Sequence, residues 1–103
     1  MSAVDCEAKA VNLLKDEMNT GYAAVLAKAK ARDQSAKEEK LPALYQDNEK
    51  KLITSQSAFD TYIEAECDRQ AYFAAGGTGA ADLQMKCEFY ILKSRMEALK
   101  TIE

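Results

Sequence analysis

Residues 67–87 read CDRQAYFAAGGTGAADLQMKC, and the fold turns on how this stretch is read. Its centre, Gly76-Gly77-Thr78-Gly79, breaks a helix, because glycine reaches the left-handed backbone conformation without a Cβ clash. Helix formers flank it on both sides. Thr78 is placed to cap the helix that follows, and Asp82 sits in its first turn, where a negative charge complements exposed amides. Cys67 and Cys87 each stand ten residues from Gly77. On two antiparallel helices joined at that glycine they lie side by side, both on apolar faces, within the approach of about 4 Å between Cβ atoms that a disulfide needs. The competing reading is a pair of buried free thiols, since cysteine is among the most buried residue types.

Working outward, apolar residues in the arm after the turn recur at Leu83, Cys87, Tyr90, Ile91, Leu92, Met96, Leu99 and Ile102. The arm before it carries Leu44, Leu52, Phe59, Ile63, Cys67 and Ala71, with Asn48 and Ser55 or Gln56 interrupting. This spacing predicts a long second helix from Pro42 to about Ala75, proline being tolerated in a first helical turn where its missing N–H costs nothing. Upstream, Val11, Leu14, Met18, Tyr22, Val25 and Ala29 mark a first helix over about residues 4–34. QSAKEEK, residues 34–40, has no apolar partner for that stripe and reads as the linker. The expected fold is therefore all-α: a single domain over residues 1–103 with three long helices, of which the second and third form an antiparallel hairpin stapled by a disulfide.

Composition agrees. The chain has 103 residues, one Pro and four Gly, so there are few places to break a helix. The formal net charge is −3 with both signs interspersed, so no basic stripe exists to neutralise a row of phosphates, and nucleic acid is an unsuitable partner. The longest apolar runs, such as Phe89 to Leu92, fall far short of the roughly 20 residues that cross a bilayer. The first turns carry Asp5, Glu7 and Lys9, so the sequence opens on no export signal, as a mature chain behind a new initiator Met1 would also do.

The chemistry is sparse. There is no histidine, so every His-dependent triad and the ordinary Cys/His zinc set are excluded, and no cofactor or metal is expected. The glycine turn lacks the Gly-Lys-Ser/Thr of a phosphate loop and follows a helix rather than a strand. Asp60, Glu64, Glu66 and Asp68 read as a solvated acidic face rather than a catalytic pair. Tyr22, Tyr45, Tyr62, Tyr72 and Phe73 are either interface anchors or packing residues, the latter being the commoner fate of any one of them. Gln56 and Asn19 are polar residues on or beside apolar faces, expected to be at least partly buried and hydrogen-bonded. These features point to binding rather than catalysis. A bonded Cys67–Cys87 pair would place the protein in the periplasm or outside the cell.

A further pattern emerges from Met18-Asn19 with Tyr22, Gln56-Ser57-Ala58-Phe59, Glu64-Ala65-Glu66-Cys67, Gly76-Gly77-Thr78, Cys87, and Arg95 with Leu99. It resembles the LprI-type lysozyme-inhibitor domain family, whose pattern runs LN-x-x-Y, AQ-x-x-W-x-x-[YF]-R-D-x-E-C, GG[ST], C, R-x-x-x-L. The resemblance spans nearly the whole chain. It implies a small, helical, exported protein with the Cys67–Cys87 bond and a removed signal peptide. It also implies a protein partner, either a lysozyme or another peptidoglycan hydrolase. Cys6 falls where the family has a cysteine that often pairs with another slightly upstream. Two departures stand out: Phe59 replaces the usual Trp, and Ile63 replaces the usual Arg, so any polar network built on that Arg is missing. The competing function is an immunity or adaptor protein for an effector, or a helical module that forms a homodimer through an exposed stripe.

Overall fold

A computed structural model describes residues 3–74, 77 and 79–100, with side chains from Cys6 onward. Three helices account for most of it: α1 (Ala3–Glu38), α2 (Asn48–Phe73) and α3 (Ala80–Lys100), with a short 3-10 helix at Ala43–Gln46 between the first two. No strand occurs among the described residues. α2 and α3 form the expected antiparallel hairpin, and α1 packs along both of them. The bundle measures 58 × 25 × 15 Å, its long axis set by α1, whose 36 residues span about 54 Å.

The core follows the helical stripes. Val11, Met18, Val25 and Ala29 of α1 meet Leu52 of α2 and Leu92 and Leu99 of α3, with Leu14, Tyr22, Leu26, Phe59, Ile63, Met85, Phe89 and Met96 packed around them. Two members of the expected stripes face elsewhere. Leu44 is exposed, because it lies on the 3-10 helix rather than on α2. Tyr90 is exposed too, and Phe89 packs half-buried against the core instead: with Leu92, Leu99 and Met85 on the inner face, the three-and-four spacing selects 89.

The connection from α1 to α2 differs most from the sequence expectation. The segment expected as a linker is helical as far as Glu38, and Ala36 within it is buried. The helix then ends in a Schellman arrangement, the amides of Leu41 and Lys40 bonding to the carbonyls of Ala36 and Lys37 at 2.9 and 3.1 Å. Lys40 occupies the left-handed position there, with φ 56°. Pro42 is extended (φ −54°, ψ 148°) and precedes the 3-10 helix instead of opening α2.

α2 is therefore shorter than the sequence suggests, 26 residues beginning at Asn48. Asp47, at its N-cap position, makes no side-chain capping bond. The cap comes from another helix. Asp33 of α1, buried at 8% exposure, accepts hydrogen bonds from the backbone amides of Asn48 (2.8 Å) and Glu49 (2.9 Å) and from the Asn48 side chain (3.0 Å). The bond from the Glu49 amide, followed by those from Asn48, holds the Asp33 carboxyl below the usual carboxylate range. Asn48 thus ties α2 to α1 rather than interrupting a face.

At the other end, Gly77 donates to the carbonyl of Ala74 (3.0 Å) and accepts from Ala80 (3.1 Å). A Cβ on Gly77 would stand 3.1 Å from the Ala74 carbonyl oxygen, a tight contact that a shift of a few tenths of an ångström would relieve. Gly76, Thr78 and Ile102 lie outside the described residues.

Candidate functional site

Cys67 and Cys87 are bonded, with Cα atoms 5.4 Å apart, and both are buried. The bond fixes the register of α2 against α3 near the hairpin's closed end. Cys6 is exposed and takes no part in it.

Beside this staple α1 and α2 part over α3, leaving an open cleft of about 760 Å³. Its apolar lining includes Met18, Phe59, Ile63 and Leu92, and Asn19 sits at its edge, exposed rather than buried as the sequence suggested. Three carboxylates, Asp60, Glu64 and Asp68, repeat every fourth residue of α2 and so share one wall. Glu88 of α3 adds a fourth, paired at 3.5 Å with Lys15 of α1. One ammonium among four carboxylates leaves the cleft negative at neutral pH. Among the described residues no group of three or more His, Cys, Asp or Glu could hold a metal ion.

A polar cluster runs from the core to the cleft. Arg95 of α3 donates from Nε to Gln56 Oε1 (3.0 Å), and its guanidinium carbon lies 5.5 Å from the centre of the Phe59 ring. Gln56, 8% exposed, donates in turn to Asp60 Oδ1 (3.4 Å) and lies 4.0 Å from the Met18 sulfur. The expected burial and bonding of Gln56 are observed. Through it the three helices are keyed together, and a cleft carboxylate is held by a side chain reaching out of the core. Arg95 Nη2 is buried with no hydrogen-bond partner among the described residues.

The remaining residues singled out from the sequence divide clearly. Tyr22 packs half-buried on the core. Glu66 is not among the residues that line the cleft; it accepts hydrogen bonds from Arg69 on both oxygens (2.6 and 2.8 Å) and from the Gln70 side-chain amide (3.0 Å). These bonds, that of Arg69 first, lower its carboxyl to about 2. Ile63 lines the cleft and packs against the core, in the position discussed above for an arginine. Tyr45, Tyr62, Tyr72 and Phe73 are exposed, Tyr72 and Phe73 at more than four-fifths of their surface, so four of the five candidate aromatic anchors face outward.

Gln56, Phe59 and Arg95, drawn from one sequence pattern, thus converge on one cluster, and a family model described as lysozyme inhibitor LprI matches residues 1–99. The chain belongs to the LprI lysozyme-inhibitor family. No characterised protein and no solved structure matches it. For this LprI-family chain, sequence reasoning found the staple and the buried, bonded Gln56, but neither its Arg95 partner nor the cleft. Asp60, Glu64 and Asp68 read as one solvated face, and nothing local to α2 shows that α1 parts from it there. The Lys15–Glu88 pair, separated by more than seventy residues, had no sequence signal at all.

Proposed function

We propose that this LprI-family protein is exported and acts stoichiometrically, binding a lysozyme or a related basic cell-wall hydrolase through the acidic cleft. The observation that carries this reading is the row Asp60, Glu64, Asp68 with Glu88 around an apolar floor. Such a surface attracts a basic partner over a distance and offers it apolar area at contact. Family membership supplies the partner class, and the buried disulfide suits an oxidising compartment. With no histidine in the chain and no metal-binding cluster among the described residues, binding is the mode of action best supported.

The test is a titration of lysozyme activity on a peptidoglycan suspension at enzyme concentrations well above Kd. Inhibition should reach a sharp equivalence point and weaken as salt screens the charges. The double variant Glu64→Lys/Asp68→Lys, altered at exposed positions, should lose inhibition by at least ten-fold with its melting temperature unchanged. Inhibition unaffected by both salt and the charge reversal would reject the cleft as the binding surface.

A further inference from the structure

Gln84, Glu88 and Leu92 line the cleft from α3, four residues apart and so stacked along one face of that helix. Glu88 adjoins Cys87, whose bond to Cys67 fixes this stretch of α3 against α2. Its side chain is only 21% exposed, and among the described residues it is the one carboxylate of the lining that does not come from α2. Its countercharge is Lys15, the sole cation in the lining among those residues. Lys15 is loosely held. Its side chain is 50% exposed, and its 3.5 Å contact is longer than the 2.9 Å of Lys86 on Asp82 and the 2.6 Å of Arg69 on Glu66.

A partner that covers the cleft changes this balance. Glu88 then loses its remaining water, and a carboxylate buried without a cation is strongly unfavourable. Lys15 could stay as that cation only by being buried as well, against a surface of its own sign. A lysine already half in solvent on a long flexible stem leaves at little cost, because exposed ion pairs contribute little. A cation brought by the partner restores the pairing, best as a guanidinium, whose planar fork matches both carboxylate oxygens.

We propose that Glu88 anchors a cationic side chain of the bound hydrolase and that Lys15 is its built-in stand-in, displaced from Glu88 on binding. This rests on the cleft reading and adds to it an attachment point on α3 and a residue that holds affinity down. Lys15 thereby also sets selectivity. A partner with a cation placed over Glu88 exchanges with it, whereas a basic surface lacking one meets an ammonium still in place.

Immobilised basic lysozymes of the c and g types are the probes, with association and dissociation rates read by interferometry and the fold of each variant checked by thermal melting at 222 nm. Lys15→Gln should tighten binding by roughly three-fold or more, chiefly through slower dissociation. Glu88→Gln should weaken it by roughly ten-fold or more. In the Glu88→Gln background Lys15→Gln should give no gain, because the exchange has lost its site. Lys15→Arg, which keeps the countercharge, should not share the gain. A Lys15→Gln chain that binds no better than the parent overturns the proposal. So does an equal gain with and without Glu88, which is the mark of charge acting at a distance rather than of exchange. Binding by Lys15→Gln where the parent shows none supports it. The two readings fail separately: if Glu64→Lys/Asp68→Lys abolishes binding while Lys15→Gln changes nothing, the stand-in alone is refuted. Binding indifferent to Glu64→Lys/Asp68→Lys, or absent from both the parent and Lys15→Gln, refutes the cleft and the stand-in with it.

Discussion

Breaking the Cys67–Cys87 bond is the perturbation whose size follows most directly from the structure. The bond closes a loop spanning 20 positions. The chain-entropy relation assigns such a loop about 11 cal/mol/K in the unfolded chain, or about 3 kcal/mol at 25 °C. For a chain of 103 residues, each kcal/mol moves the melting temperature by about 4–8 °C, so reduction should lower it by roughly 12–24 °C. The sulfurs belong to residues exposed by only 1% and 4%, which shields them from reductant in the native state. The bond should therefore be reduced in denaturant and the protein refolded under reductant. Helicity at 222 nm, followed through a thermal scan with and without reductant, measures the shift. Cys67→Ala/Cys87→Ala should melt lower still than the reduced parent, because it also removes two buried sulfurs at roughly 1 kcal/mol each. A reduced protein melting within about 3 °C of the oxidised one would refute the reasoning. It would mean that the helices hold the unfolded chain's loop closed without the bond.

Other substitutions probe single contacts. Gln56→Ala strips the acceptor from Arg95 Nε, and a part-buried charged donor left without its partner should cost about 1–3 kcal/mol in chemical denaturation, while cleft binding persists. Asp33→Ala removes the cap that α1 supplies to α2, so hydrogen exchange at the amides of Asn48 and Glu49 should accelerate before that of the helix centre. Glu66 has a folded pKa of about 2, below its unfolded value. Its contribution is present above the unfolded pKa of about 4.3 and is lost as pH falls toward 2, so Glu66→Gln should flatten the acid limb of the stability profile in that window. Lys40→Gly should raise stability by about 1 kcal/mol, measured by denaturant midpoint, because glycine adopts φ 56° without the Cβ clash that lysine bears.

Much of the architecture was legible in the chain itself. Three amphipathic stripes, a glycine turn and two cysteines equidistant from it are local or periodic signals. A helix that must bury one face can satisfy them in few ways. Gln56 as a buried, bonded amide was likewise readable, since a polar residue on an apolar stripe must find a partner or leave the core.

The tertiary structure decided what depended on partners distant in sequence. The helix boundaries around residues 34–48 were misread because the cap of α2 comes from Asp33, fifteen residues before Asn48 on another helix, and no local pattern records that. Asn19 was expected to be at least partly buried and lies exposed in the lining of the cleft, a gap between helices that its own helix does not record. The cleft has the same kind of origin. Periodicity tells which face of each helix is apolar, whereas helix lengths and registers determine where two apolar faces fail to meet. The amino-acid sequence thus determined three helices and their staple. Only their packing determined that the acidic residues of α2 border a cleft, because the position of a gap between helices is encoded by no one of them.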